Sequence, residues 1–137
     1  MPENLLIEAL DHSHVDQCIP LWEEEDMVHE IDFRKRLIRA VNRTSDLSCI
    51  ATVDGRAVGC VLALFTEFSV YAHRLVVHPD FRSRGIGRSI MKHLENEARH
   101  LGANAVILNA EEEPGSWFES LGYRRTEATF FYKNLHS

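Results

Sequence analysis

Arg82, Arg84 and Arg88 surround two glycines in the run Arg82-Ser83-Arg84-Gly85-Ile86-Gly87-Arg88, where a strand-like segment, Leu75-Val76-Val77, gives way to a long amphipathic pattern. A helix start has four backbone N–H groups without intrahelical partners and about half a positive charge, so a phosphate placed there meets donors and a favourable field together. Gly85 and Gly87 lack the Cβ atoms that would hold a diphosphate away from those amides. The arginines add cations able to pair phosphate oxygens. The chemistry this turn predicts is diphosphate binding. It is not a nucleoside triphosphate loop, since no Gly-Lys-Ser/Thr follows, nor a dinucleotide fold, which needs repeated strand-helix units that this chain does not supply.

Behind the turn, Ile86, Ile90, Met91, Leu94, Ala98 and Leu101 fall on one helical face, with Arg88, Lys92, Glu95 and Arg99 on the others. Glu95 and Arg99 are ordered for an i,i+4 pair, and Gly102 stands where a left-handed cap ends a helix. Upstream, 47–53 and 57–65 are apolar, β-branched segments joined by Asp54-Gly55-Arg56, a hairpin signal, and Gly59 marks a bulge or a close approach. A turn at 66–69 returns the chain as the strand 70–77. The segment 105–109 follows a crossover helix and therefore runs parallel to 70–77, giving a mixed sheet.

At the amino-terminal end, 5–10 reads as a strand. Asp11 or Ser13 caps a helix through Val15, Cys18, Ile19 and Trp22, which Pro20 would kink unless a turn begins there. A second helix is expected over 33–42. At the other end, Pro114 fits the first turn of a short helix ended by Gly122, and 123–126 with 129–133 form one or two closing strands.

The sequence of 137 residues fits one domain, 1–137, large enough to bury a core without staples. Its net charge of −6 argues against nucleic-acid binding, which depends on neutralising phosphates, and suits a cationic substrate. No apolar run approaches the roughly 20 residues of a membrane span, and the start lacks the basic and apolar regions of a secretory signal, so the expected location is cytoplasmic and no membrane partner is expected. Cys18, Cys49 and Cys60 are odd in number and lack metal-ligand spacing, which predicts reduced thiols. Of the eight histidines only His12 and His14 are close, so no metal is expected. Monomer and homodimer both stay open.

The run Leu75-Val76-Val77-His78-Pro79, then Arg82-x-x-Gly85-x-Gly87 and a helix, closely resembles the acyl-coenzyme A site of the GNAT N-acetyltransferase superfamily. Phe118-Glu119-Ser120-Leu121-Gly122-Tyr123 resembles that family's Phe-Tyr-Glu-Lys-Leu-Gly-Phe. The resemblance is clear over 50–135 and looser before that. It implies an α/β GNAT acyl-CoA N-acyltransferase fold, with a mixed six- to seven-stranded sheet flanked by about four helices. It implies acetyl-CoA as cosubstrate, with the pantetheine arm entering between splayed strands along the backbones of Leu75, Val76 and Val77, and the diphosphate held by Arg82, Ser83, Arg84, Gly85, Ile86, Gly87 and Arg88. The acceptor would be a primary amine of a small molecule or a protein, attacking directly in a ternary complex. The acidic run Glu23-Glu24-Glu25-Asp26, with Glu30 and Asp32, falls where the family lines its acceptor site, and could equally serve as a solvated surface loop.

Such a transfer needs a neutral nucleophile, yet an amine as basic as lysine is neutral in only about one molecule in 2,500 at pH 7, roughly 4.6 kcal/mol. Tyr71 and His73 share a face of their strand and match the spacing of a histidine pair in the serotonin N-acetyltransferase branch. His73 is the candidate base, directly or through water, and Tyr71 would position the amine or relay its proton. The family's frequent acid is the tyrosine aligned with Phe118, which has no hydroxyl, and Glu111 and Pro114 replace its usual asparagine and alanine. Three accounts stay open: water protonates the departing thiolate; Tyr123, Ser116 or, by preference, Tyr132 does so; or the chain is a non-catalytic acyl-CoA sensor or interaction module.

Overall fold

A computed structural model describes residues 4–44, 46–110 and 112–135. Five strands, β1 (Leu5–Ala9), β2 (Cys49–Val53), β3 (Arg56–Phe65), β4 (Ser69–Val77) and β5 (Ala105–Ile107), form one sheet in that order. The first three pairings are antiparallel, and β4 with β5 is parallel. Helices α1 (Val15–Glu24) and α2 (Phe33–Thr44) cover one face; α3 (Ile86–His100) covers the other, and α4 (Glu112–Ser120) follows β5.

The local signals explain most of these elements. Asp54 (φ 51°) and Gly55 (φ 81°) both adopt the left-handed conformation that a two-residue hairpin requires. Asp11 accepts from the Ser13 amide at 2.8 Å and caps a short 3-10 turn that leads into α1. Pro20 lies inside α1 without ending it, because Leu21 and Trp22, the next two residues, are buried and anchor the last turn. Along α3, Ile86, Ile90, Met91, Leu94 and Ala98 are buried as expected, while Leu101 caps the helix and is half exposed. Glu95 accepts the Tyr123 hydroxyl at 2.7 Å and Arg99 donates to Asn96 at 2.9 Å in place of the expected pairing of the two.

Two bulges shape the sheet. Between β2 and β3 the pairing shifts beside Gly59, and Gly59 also admits a close neighbour, since a Cβ there would lie 2.9 Å from the Ile90 Cδ1 and 3.1 Å from the Val76 carbonyl oxygen. In β4 the register steps from Cys60↔Val76 to Leu62↔His73, leaving Arg74-Leu75 as the bulge. The consequence is a change of face: Val70 and Ala72 belong to the core beneath α3, whereas Val76 belongs to the core beneath α1 and α2.

The expected six- to seven-stranded sheet is corrected to five strands among the described residues: 123–126 and 129–133 form none. Side-chain ties divert the chain. Tyr123 is drawn onto α3 through Glu95, and Arg125 donates to Glu119 of α4 at 3.1 Å. Strand-forming residues need an edge to pair with, and β5 is three residues long, so Phe130, Phe131 and Tyr132 remain exposed.

Gly59→Ala should destabilise the fold by about 1–3 kcal/mol through overpacking. Combined with Ile90→Val, which removes the contacting methyl, the loss should be less than the sum of the two single losses. Urea unfolding of all four proteins measures this, and strict additivity would refute the close approach.

Candidate active site

The β4 bulge organises the site. Arg74 has a φ of 62°, a conformation that costs a non-glycine residue about 1–2 kcal/mol. Its surroundings compensate. The indole Nε1 of fully buried Trp22 donates to the Arg74 carbonyl at 2.6 Å. The guanidinium donates to the Met27 carbonyl and to Glu30 Oε2, the latter at 2.9 Å, and lies 5.3 Å from the centre of the Phe33 ring. Glu30 is held below the usual carboxylate range first by that hydrogen bond, against its partial desolvation. The segment joining α1 to α2 is thereby tied to β4 at the bulge.

Among the described residues, β4 has no strand partner on its β5 side beyond Tyr71, the parallel ladder there being Ser69↔Ala105, Val70↔Val106 and Tyr71↔Ile107. Leu75, Val76 and Val77 line a cleft of about 530 Å³ that opens along this edge. Arg82, Ser83, Gly85, Ile86, Gly87 and Arg88 continue its wall. Gly85 caps α3 with φ 82°, which favours glycine, and the amide end of the helix begins at Ile86. A Cβ on Gly87 would lie 3.1 Å from the Trp117 ring, so the bare backbone also seats that indole.

Arg84 is not part of the wall; its guanidinium stacks 5.1 Å from the centre of the Phe81 ring. Arg82 is in the wall but already engaged, donating from Nε to the Val77 carbonyl at 3.1 Å and pairing with Glu25 Oε1 at 2.7 Å. Glu25, Met27, Phe81 and Trp117 line the cleft without having been picked out as cleft residues by the glycine pattern.

Tyr71 and His73 do share a face, their rings stacked 5.4 Å apart at 21°. The Tyr71 hydroxyl accepts from Asn109 Nδ2 at 3.0 Å, a partner with no motif to announce it. His73 is solvent-accessible, yet desolvation by its neighbours lowers its pKa below 6.5; Arg74 adds to this and Glu30 opposes it. Phe118 packs edge-on between Trp117 and Tyr123. Tyr123 is committed to Glu95, and burial and that carboxylate together raise its pKa well above 10. Tyr132 is 78% exposed. Glu111 lies outside the described residues.

The model of the acetyltransferase (GNAT) family matches residues 7–123. Several solved structures share the fold. An aminoglycoside acetyltransferase from an uncultured soil metagenomic sample, in complex with sisomicin, is 20% identical with a TM-score of 0.80, over 96% of this chain and 97% of that one. An aminoglycoside N-acetyltransferase in complex with CoA is 19% identical with a TM-score of 0.79, over 96% and 95%. A ribosomal-protein-alanine N-acetyltransferase from Brucella melitensis is 18% identical with a TM-score of 0.75, over 96% and 99%.

The Glu25–Arg82 pair predicts that Glu25→Gln frees a cation for a diphosphate. Coenzyme A affinity, read by titration calorimetry, should rise about 1.4-fold to fivefold, the range open to partly exposed ion pairs of about 0.2–1 kcal/mol. Unchanged affinity would mean that the pair does not compete with the ligand.

Proposed function

The chain belongs to the GNAT acetyltransferase family and is an acetyl-CoA-dependent N-acetyltransferase, and from this premise we propose that it acetylates a primary amine of a small molecule or a protein by direct attack in a ternary complex. The observation that carries this reading is the unpaired edge of β4 running into the glycine-capped start of α3 inside one cleft. That edge can take an extended amide-bearing arm as a strand would, and the helix start can take the diphosphate that ends the arm.

In this reading Arg82 and Arg88 pair with phosphate oxygens, Arg82 exchanging Glu25 for them, and Arg84 contributes after leaving Phe81. Ser83, Gly85, Ile86 and Gly87 supply close backbone approach, and Leu75, Val76 and Val77 hold the arm. The Val77 amide is the proposed contact for the thioester carbonyl. Orientation of amine and thioester supplies much of the rate. His73 removes the amine proton, directly or through water, and Tyr71, steadied by Asn109, positions the nucleophile. A coenzyme thiolate, about as basic as cysteine, is protonated by water, since Phe118 lacks a hydroxyl and Tyr123 is held by Glu95. Tyr132 is assigned no role. The acidic segment before α2 favours a cationic acceptor.

The test is release of free thiol from acetyl-CoA with a panel of amines, run beside calorimetry with coenzyme A. Amine-dependent release is expected. Tight coenzyme binding without release for any amine would replace the enzyme with a sensor.

His73→Ala should reduce kcat/KM by about 10²–10⁴, the usual contribution of a positioned base. The lowered His73 pKa fixes the sign of the pH effect: the neutral, working form dominates above that pKa, so wild-type activity falls on acidification with a midpoint below 6.5, and the variant lacks that limb. The same shift makes His73's contribution to stability complete above the unfolded value of 6.5 and lost as pH falls through the folded pKa. An identical pH profile in the variant would reject the assignment.

A further inference from the structure

We infer that the outward face of α2 is a docking surface for an acidic segment of a protein acceptor, an inference that rests on the proposed amine acetylation. In a chain of net charge −6, α2 reads Phe-Arg-Lys-Arg-Leu-Ile-Arg-Ala-Val-Asn-Arg-Thr and contains no acidic residue. Leu37 and Val41 are buried against the sheet, so the orientation of the helix is fixed. At 100° per residue, Lys35, Arg39, Arg43 and Arg36 fall within one stripe about 100° wide, opposite that buried side. All four are exposed. Arg34 lies outside the stripe and pairs with Asp16 at 2.7 Å, whereas the four stripe cations have no ion pair or hydrogen bond among the described residues.

Helix energetics do not account for this arrangement. Lys35 and Arg36 in the first turn oppose the helix dipole, like charges at i,i+4 repel, and only Arg43, in the last turn, complements the dipole. The stripe therefore costs the isolated helix stability and returns none through local pairing. A ligand of opposite charge reverses both penalties.

Placement and spacing define the ligand. Phe33, whose ring packs against the Arg74 guanidinium at the bulge, belongs to the first turn of the same helix, so the amino-terminal end of the stripe lies within one turn of that contact, on the outer surface of α2. The stripe's i,i+4 cations climb about 6 Å per step, close to the roughly 6.6 Å between alternate side chains of an extended peptide. A peptide with acidic residues at every second position matches it. A long nucleic acid would also meet Glu23, Glu24, Asp26 and Asp32 in the preceding segment, and a bilayer would find no apolar residue in the stripe to bury.

The experiment compares wild type with Lys35→Glu/Arg39→Glu/Arg43→Glu and with the milder Lys35→Gln/Arg39→Gln/Arg43→Gln, each checked for folding by circular dichroism. Anisotropy follows a short fluorescein-labelled peptide of alternating glutamate and alanine, and kcat/KM is measured for peptide acceptors with acidic or neutral tails and for a small amine. Wild type should bind the acidic peptide in a salt-sensitive manner, and removing three pairing cations should weaken it by about tenfold, with less loss in the glutamine variant. The acidic-tail preference in kcat/KM should disappear while small-amine turnover stays at the wild-type level. Equal peptide binding by wild type and variants, equal binding of acidic and neutral peptides, or stronger binding of a single-stranded oligonucleotide or of anionic vesicles would each overturn the docking surface. Turnover with no amine beside intact stripe-dependent peptide binding would instead overturn the acetylation reading alone.

Discussion

A single hydrogen bond, from the buried Trp22 indole to the Arg74 carbonyl, stands at the centre of the molecule's geometry. A bulge leaves main-chain groups out of the sheet ladder, and an orphaned carbonyl beside a core is costly, about 1–3 kcal/mol. Trp22 satisfies that carbonyl from α1 while Arg74's own side chain reaches Met27 and Glu30. Because both anchors come from the α1 side, the bulge, the loop before α2 and the face change of β4 form one unit. Without the extra residue, Val76 would turn toward α3 and β4 would have less reason to part from β5.

Charge is distributed against the average. The chain is acidic overall, but its cations gather at the start of α3 and along α2. In the cleft, Glu25 pairs with Arg82, so an anionic ligand reaching that guanidinium would exchange one carboxylate for its own oxygens. Such an exchange lowers net affinity and favours a ligand that carries more than one negative group. The pair also links the cleft to the segment before α2, since Glu25 and Glu30 belong to the same stretch of chain.

How much of this was legible in the sequence depended on whether the determinant was local. Gly102 and the Asp54-Gly55 turn were readable because a positive φ leaves its mark on the residue that adopts it. The shared face of Tyr71 and His73 followed from strand periodicity, whereas the stacking of their rings did not. The bulge was not readable, since arginine is an unexpected residue at φ 62° and is held there by Trp22, 52 positions away. Asn109, Trp117 and the pairing of Glu25 with Arg82 were missed for the same reason: each depends on a tertiary contact. The closing strands were over-read, because β-propensity in 129–133 says nothing about whether an edge is free to receive it. Pro20 was read as a kink or the start of a turn, whereas α1 continues through it to Glu24 with Leu21 and Trp22 buried behind it.

The three free cysteines all lie in the core, Cys49 beneath α3 and Cys18 with Cys60 beneath α1 and α2. Burial pushes the Cys49 thiol up to about 12 and raises that of Cys60 as well. A protein that handles thioesters risks capturing the acyl group on its own sulfur, and only a thiolate does so readily. Keeping the Cys49 and Cys60 sulfurs protonated, and all three out of reach, spares the native chain from self-acylation, and burial turns the three into silent reporters that alkylating reagents detect only when the sheet comes apart.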